Sequence, residues 1–358
     1  MVVALKEPNG RFPVHTLGLT EFRDLLITEL EEDLHYFLKR ESADAFPIQI
    51  ARLVSHRSHR ASISRSRLDF ASMDAVDSRR YLEAALAACR RAGEIHREHF
   101  RTATLRVETK ADSTPVTVAD RASEEAIREI LHLRSPELGL LGEEFGQEGS
   151  ERDRWIIDPI DATKNFVAGL PFFATLIGLE LDGELVLGVV HAPALGPGSG
   201  LSASQDTNDS ATLGETWWAI RGEGAWAGTG TLLETCRQRR LQVSGTAELE
   251  KAFVIHGGLN LFQRHGLWDG FSNLVARAYR TRGFGDWWGH ILVAEGRCDA
   301  MLEAEVAVHD VAALKPILEE AGGVLLTRGG QPLTPEFHSG TISANGRLAA
   351  ELRGILGF

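Results

Sequence analysis

Two carboxylates stand three residues apart in the segment WIIDPIDATKNF, residues 155–166. Residues 155–157 predict a short buried strand that ends at Asp158. Pro159 breaks this strand, and Asp161 follows. Carboxylate oxygens suit a hard divalent cation, and a helix that begins after Asp161, with Asp161 as its cap, would offer free backbone N–H groups to an anion. The segment predicts a place where a metal ion and a phosphate meet, although a simple Asp-Pro turn has the same composition.

Two further acidic sites stand at the ends of predicted elements. An apolar run at 138–141 is followed by Gly142, Glu143 and Glu144. Downstream, Asp310 opens a segment of helical periodicity that ends at two glycines, 322–323. Taken alone, the first is typical of a solvated surface and the second of a helix cap. Because α/β folds gather ligands where the ends of elements converge, the three together favour one composite site.

These motifs carry a family resemblance. GEE (142–144), DPIDATKNF (158–166) and HDVAALKPILEEAGG (309–323) resemble, in order and spacing, the inositol monophosphatase superfamily of magnesium-dependent, lithium-sensitive phosphatases. The resemblance extends from about Asp74 to the C-terminus. It implies an α/β fold, layered as an alternating αβαβα sandwich of two subdomains.

Two positions depart from the family pattern. Ala162 stands where the family usually has glycine, and His309 stands where it usually has tryptophan. The first lies in the phosphate-binding turn that the resemblance implies. A methyl group there restricts the backbone only if the position needs a positive φ.

The resemblance also implies the site. Two or three Mg²⁺ ions are expected, held by the carboxylates of Glu143, Asp158, Asp161 and Asp310 and by the backbone carbonyl of Ile160. Thr163 and Asp120 resemble the family's pair that orients the attacking water and takes its proton; both could instead, or in addition, be helix-start residues. The expected substrate-binding residues are Glu143, Asp161, Ala162, Thr163, Asp286 and Glu303.

The segment RGFGDWW, residues 282–288, bears on the substrate. It resembles the actinobacterial-type histidinol-phosphate phosphatases, whereas inositol-specific members usually carry a small pair after the glycine. Asp286 and Glu303 could bind the ammonium and imidazole of histidinol phosphate, and Trp287 could stack on the ring. The competing interpretation makes Trp287 and Trp288 core residues and Asp286 a helix cap.

Histidinol phosphate in histidine biosynthesis is therefore the preferred substrate. Inositol 1-phosphate, fructose 1,6-bisphosphate and 3′-phosphoadenosine phosphate are alternatives, and a non-catalytic phosphate-ligand-binding protein on the same fold is a remote one. Loss of a metal ligand would favour that last interpretation, and none is lost from the sequence.

Composition narrows the class of protein. The 358 residues carry a formal net charge of -12, which argues against a nucleic-acid binder. Three separated cysteines without a CxxC motif predict reduced thiols and a cytoplasmic protein, and the sequence predicts no membrane segment. The family resemblance also implies a homodimer.

Domain organisation is predicted as two parts. Residues 1–72 are expected to be a poorly ordered extension or the result of a start assigned upstream of Met73. Residues 73–358 are expected to form the catalytic domain, with subdomains at about 74–230 and 240–358.

Overall fold

The structure, a computed structural model, describes residues 75–102, 107–109, 115–196, 214–231 and 238–358, and the backbone of two short strands near the N-terminus. The chain divides into two compact units, Met1–Ala71 and Ser72–Phe358. In the first unit, β1 (Val2–Ala4) pairs antiparallel with β2 (Val14–Thr16). The rest of the predicted extension 1–72 lies outside the described residues, so its lack of order stays a prediction.

The second unit alternates helices and strands. Its helices are α1 (Ala75–His99), α2 (Val118–Arg134), α3 (Thr163–Val167), α4 (Leu259–Arg264), α5 (Trp268–Arg277), α6 (Asp286–Ala294), α7 (Val308–Ala312), α8 (Leu314–Glu320) and α9 (Gly346–Leu356). Its strands are β3 (Val107–Thr109), β4 (Pro115–Thr117), β5 (Gly139–Gly142), β6 (Gly146–Glu148), β7 (Arg154–Asp161), β8 (Ala174–Leu181), β9 (Glu184–Ala192), β10 (Glu215–Ile220), β11 (Gly224–Thr229), β12 (Arg239–Arg240), β13 (Phe253–His256), β14 (Arg280–Arg282), β15 (Ala300–Ala307), β16 (Gly323–Thr327) and β17 (His338–Asn345).

Two mixed sheets form the framework. The first has the strand order β12-β11-β10-β9-β8-β7-β5-β6, in which β5 and β7 are parallel and the other neighbours antiparallel. The second has the order β14-β13-β15-β17-β16, in which β13 runs parallel to both its neighbours. β3 and β4 form a separate hairpin.

Both faces of each sheet are covered, which explains why residues 155–157 of β7 are a continuous apolar run. Side chains alternate along a strand, so Trp155 and Ile157 enter the core formed with α1 and α2, and Ile156 enters the core formed with α6, α7 and α8. The second sheet packs between α6–α8 on one face and α4, α5 and α9 on the other. The resulting order of layers, αβαβα, confirms the predicted fold class.

Two glycines bring a helix junction against the first sheet. Gly178 in β8 and Gly188 in β9 are cross-strand partners. A Cβ atom on Gly178 would lie 2.9 Å from the carbonyl carbon of Ala312, and one on Gly188 would lie 1.9 Å from the carbonyl oxygen of Ala313. Only glycine permits this backbone-to-backbone approach. It fixes the depth at which α7 lies over the sheet, and α7 carries Asp310.

One predicted helix is divided. The periodicity predicts a single helix over residues 311–321, whereas the structure has α7 and α8 separated at Ala313. Pro316 has no N–H to donate to the carbonyl of Ala312, and its ring crowds that carbonyl. The proline therefore interrupts the helical hydrogen bonds and is tolerated because it lies in the first turn of α8.

The described residues also bear on the cysteines and on membranes. Cys89 and Cys298 are buried free thiols, and Cys236 lies outside the described residues. In the part of the chain that the structure describes, no helix combines the length and the apolar character needed to cross a bilayer.

Candidate active site

Three carboxylates converge where β7 meets α7. One carboxylate oxygen from each of Asp158, Asp161 and Asp310 lies within 4.8 Å of the others. Residues three apart on a regular strand point to opposite faces, but the pairing of β7 with β8 is irregular between Asp158 and Asp161. The predicted end of this strand at Asp158 is wrong, because β7 continues through Pro159 and Asp161 still pairs with Ala174. The irregularity spans Pro159, which cannot donate to the ladder, and lets both carboxylates serve one site.

Like charges crowd this cluster. Burial, followed by the charges of Glu143 and Asp161, raises the pKa of Asp158 well above its ordinary value. Burial, followed by the charges of Asp286 and Asp310, does the same to the pKa of Asp161. Burial likewise raises the pKa of Asp310. Such a group is stable only when protonated or when a cation compensates it.

One atom in the cluster has no hydrogen-bond partner. Asp158 is 1% exposed, and its Oδ1 is buried without a donor. Asp310 is better satisfied, since its Oδ2 accepts the backbone N–H of Ala307 at 2.6 Å at the start of α7. An orphaned buried carboxylate oxygen among other carboxylates fits a hard divalent cation, whose preferred ligands are oxygens.

Glu143 belongs to the same electrostatic neighbourhood, and a second glutamate holds its turn. The carboxylate of Glu124, fully buried on α2, accepts the backbone N–H groups of Glu144 at 2.7 Å and Phe145 at 3.2 Å. A Cβ atom at Gly142 would lie 1.8 Å from Glu124 Oε1. The glycine of the GEE motif therefore makes room for the carboxylate that positions the following turn.

The sequence-based reasoning missed Glu124. It also pairs with Arg128, whose Nε donates to Glu124 Oε1 at 2.8 Å. A signal was present, because Glu124 lies four residues after Asp120 and three before Ile127, on the face of α2 that is buried. A glutamate on the buried face of a helix needs partners to offset its desolvation.

Thr163 and Asp120 are in contact. The hydroxyl of Thr163 lies 3.2 Å from Asp120 Oδ1 and 2.9 Å from the carbonyl oxygen of Ile160. The other oxygen of Asp120 accepts the N–H and the hydroxyl of Thr117 at 2.7 and 2.6 Å, closing a capping box on α2. Burial raises the pKa of Asp120, and the hydrogen bonds from Thr117 oppose that rise. Asp120 is thus a helix-start residue and a partner of Thr163 at once.

Ala162 adopts a left-handed backbone, with φ 66° and ψ 45°. The turn therefore needs the positive φ at which a side chain costs about 1–2 kcal/mol. The N-cap of α3 is Ala162, which has no side-chain cap, and not Asp161 as the sequence predicted. Asp286 shares this unusual geometry, with φ 51°. Strain of this kind persists where the surrounding structure enforces it, often at functional sites.

The start of α6 is capped by carboxylates from two other elements. Glu303, which is 4% exposed on β15, accepts the backbone N–H of Asp286 at 3.1 Å. Asp161 Oδ2 accepts the backbone N–H of Trp287 at 2.9 Å. Glu303 is thereby placed next to the cluster, but its observed partner is the backbone of Asp286. Burial, followed by the charge of Asp286, raises the pKa of Glu303 well above its ordinary value.

The carboxylate of Asp286 remains open to solvent. The side-chain amide of Asn165 donates to Asp286 Oδ2 at a long 3.5 Å. Desolvation by the surrounding protein, followed by the charge of Asp310, raises the pKa of Asp286 to about 6, and Lys164 opposes the rise. Because Asp286 is an exposed residue, water screens part of this shift.

Trp287 does not line the site. It is 1% exposed and packs against Trp217 at a ring distance of 5.5 Å. The prediction that Trp287 stacks on a substrate ring is therefore wrong, because its side chain fills the layer between the two sheets. Trp288 is only partly buried, and its ring lies 6.1 Å from that of Phe172.

The comparison with known proteins follows this geometry. The model of the inositol monophosphatase family matches residues 77–356. The chain belongs to the inositol monophosphatase family. This confirms the resemblance drawn from the three motifs.

Relatives in this family include two histidinol-phosphatases. The chain is 41% identical over 270 residues to one from Mycobacterium tuberculosis, covering 75% of this chain and 94% of the relative. It is 40% identical over 264 residues to one from Streptomyces coelicolor, covering 72% and 90%. Among solved structures of the family, the extragenic suppressor protein suhB from Bartonella henselae matches with a TM-score of 0.63 and 28% identity, covering 77% of this chain and 98% of that one.

Proposed function

We propose that this protein is a magnesium-dependent phosphate monoester hydrolase that acts on histidinol phosphate. The observation that carries the reaction class is the convergence of Asp158, Asp161 and Asp310, with one buried oxygen lacking a partner. The choice of substrate is supported by the two histidinol-phosphatases at 41% and 40% identity.

The metal would be held by residues of β7, α7 and the turn after β5. Asp158, Asp161 and Asp310 are the proposed carboxylate ligands, joined by Glu143 and the carbonyl of Ile160. Bound Mg²⁺ would neutralise the carboxylates and the phosphate and activate water for hydrolysis. The expected number of Mg²⁺ ions is two or three.

The protein's own residues would guide the proton. A water that hydrogen bonds to Thr163 Oγ1 can pass a proton through that hydroxyl to Asp120, which lies 3.2 Å away. The raised pKa of Asp120 suits a proton acceptor that must later return its proton. The water oxygen forms the new bond to phosphorus, the bond from phosphorus to the alcohol oxygen breaks, and the alcohol leaves with a proton.

Backbone amides of α3 would hold the phosphate. The first hydrogen bonds of this helix run from the N–H groups of Asn165 and Phe166 to the carbonyl of Ala162, at 2.8 and 3.1 Å. The amide of Thr163 precedes both bonds, and an amide at that position can donate to an anion. Ala162 and Thr163 therefore stay the proposed phosphate-binding residues.

The other end of the substrate would meet Asp286. Histidinol phosphate carries an ammonium group and an imidazole, and a solvent-accessible carboxylate beside the metal cluster can pair with either. Inositol offers only hydroxyl groups, which gain less from a negative charge. Glu303 would act by supporting the backbone of Asp286.

Phosphate release from four substrates tests the proposal. The full chain with Mg²⁺ should give its highest kcat/KM on histidinol phosphate, at least tenfold above inositol 1-phosphate, fructose 1,6-bisphosphate and 3′-phosphoadenosine phosphate. A higher value on one of those three would overturn the substrate. Absence of turnover on all four, with Mg²⁺ binding shown by calorimetry, would overturn the enzyme and favour a phosphate-ligand-binding protein.

A variant sharpens this test. Asp286→Asn removes the charge, and asparagine tolerates the left-handed backbone. It should lower the preference for histidinol phosphate about tenfold, whereas Asp269→Asn, on the exposed first turn of α5, should not. An unchanged preference in Asp286→Asn would contradict its role.

Assembly and location stay predictions. The homodimer carried over from the family is tested by sedimentation of the purified chain, and the cytoplasmic location by fractionation of cells that express it.

A further inference from the structure

Phe172 and Trp288 form an aromatic pair near Asp286, and only Trp288 belongs to a motif that the sequence singled out. Phe172, on the loop between α3 and β8, is 40% exposed. The side-chain amide of Asn165 donates to the carbonyl of Phe172 at 2.9 Å and reaches Asp286 Oδ2 at 3.5 Å. One amide group thus links Phe172 to the carboxylate proposed to bind the substrate's cationic end.

The second aromatic side chain has a rigid backing. The Trp288 ring lies 5.2 Å from that of Trp287 and 5.9 Å from that of Trp217, both of which are fully buried. Phe172 packs on Trp288 with ring centroids 6.1 Å apart and planes tilted by 36°. Trp288 is therefore backed by two buried rings, while Phe172 is exposed and is joined to Asp286 through the side-chain amide of Asn165.

We propose that Phe172, supported by Trp288, is a specificity-determining residue that contacts the imidazole ring of the substrate while Asp286 pairs with a charged or N–H group. This inference rests on the proposed function and assigns to Phe172 the contact that Trp287 cannot make. A flat ring gains from an aromatic neighbour, and a cationic ring gains further. A polyhydroxylated ring has neither a π system nor a positive charge, so it gains less from this contact.

Product inhibition separates ring recognition from phosphate recognition. In Phe172→Ala, kcat/KM for histidinol phosphate should fall about tenfold, mainly through KM, and the inhibition constant of L-histidinol should rise by a similar factor. The inhibition constant of inorganic phosphate should not change. Phe172→Trp should restore most of the affinity. Tyr279→Ala, which truncates a 74% exposed aromatic ring, is the matched control and should leave all values unchanged.

Three results would overturn the inference. An unchanged L-histidinol constant in Phe172→Ala would remove the ring contact, and an equal change in both constants would indicate general damage to the site. Val167 and Leu170 are exposed near Phe172, so a shift from dimer to monomer with unchanged kinetics would assign the patch to an interface.

Failure of the proposed function is distinguishable from failure of this inference. If the wild-type chain does not hydrolyse histidinol phosphate, the proposed function is wrong. Calorimetry with L-histidinol on wild type and Phe172→Ala still tests the ring contact. Absence of L-histidinol binding to a wild type that hydrolyses histidinol phosphate would overturn the ring contact alone.

Discussion

The backbone N–H of Trp287 donates a 2.9 Å hydrogen bond to Oδ2 of Asp161. Asp161 belongs to the carboxylate cluster at the end of β7, and Trp287 to the first turn of α6, next to Asp286. One carboxylate therefore serves as a proposed metal ligand and as the cap of the segment proposed to select the substrate. A movement of the Asp161 carboxylate would therefore affect the metal site and the start of α6 together.

Asp161→Asn separates the two roles of this side chain. The asparagine carbonyl can still accept the Trp287 N–H, but a neutral ligand binds Mg²⁺ less well. We expect a loss of at least a hundredfold in kcat/KM, loss of Mg²⁺ binding by calorimetry, and a metal-free melting temperature equal to or above that of wild type, because one of several mutually repelling carboxylates is gone. Asp269→Asn is the control. A largely unfolded Asp161→Asn protein would mean that the residue maintains the turn only.

Glu124→Gln tests the support of Glu143. The amide keeps the size of the side chain but weakens acceptance of the Glu144 and Phe145 N–H groups and the pairing with Arg128. We expect Mg²⁺ affinity to fall about tenfold or more, as happens when supporting residues of metal sites are replaced. Glu125→Gln, on the exposed face of the same helix, should bind Mg²⁺ normally. Equal affinities for the two variants would exclude a positioning role for Glu124.

Ala162→Gly should stabilise the protein. Glycine adopts φ 66° without steric cost, so the free energy of unfolding should rise by about 1 kcal/mol, measured by urea titration. Ala168→Gly is the matched control, because Ala168 at the other end of α3 has φ -74° and glycine there should destabilise. A decrease in stability for Ala162→Gly would show that its methyl group makes a packing contribution larger than the strain.

His290 should make the fold sensitive to acid. It is buried, its Nδ1 lies 2.7 Å from Ser343 Oγ, and burial lowers its pKa to about 3 from 6.5. Below pH 6.5, His290 binds a proton in the unfolded chain but stays neutral in the folded chain. The free energy of unfolding therefore decreases as pH falls from 6.5 towards 3. By linkage the loss at pH 5 is on the order of 2 kcal/mol.

The measurement compares urea unfolding at pH 7.5 and pH 5 with EDTA present. His290→Asn, which can still reach the Ser343 hydroxyl, should lose less stability between these pH values than wild type does. His132→Asn, exposed on α2, should behave as wild type. If His290→Asn and wild type show the same pH dependence, the histidine does not resist protonation in the folded state.

The carboxylate cluster could be predicted from sequence because each member lies near a boundary of a helix or strand. Asp158 and Asp161 close an apolar run, and Asp310 opens a helix, so their roles depend on local features that periodicity reveals. That these three carboxylates converge could be predicted only with the additional rule that the ends of elements meet in α/β folds. The irregular pairing of β7 with β8, which turns both carboxylates to one site, has no signal beyond Pro159.

The predictions that failed concern the direction in which a side chain faces. Trp287 and Trp288 are identical neighbours in the sequence, yet one is fully buried and the other partly accessible, because α6 lies between two sheets. Phe172 follows a proline in a loop that carries no motif. Only its neighbours in the folded structure indicate a role for it. Long-range contacts of this kind leave no periodic pattern for sequence reasoning to detect.

Gly178 and Gly188 let the backbone of the sheet lie directly against Ala312 and Ala313, at the end of the helix that carries Asp310. Elsewhere in the core, one apolar side chain can replace another and its neighbours can repack around it. At these two positions there is nothing to repack. A side chain at either glycine would therefore displace the end of α7, and Asp310 with it, in one step.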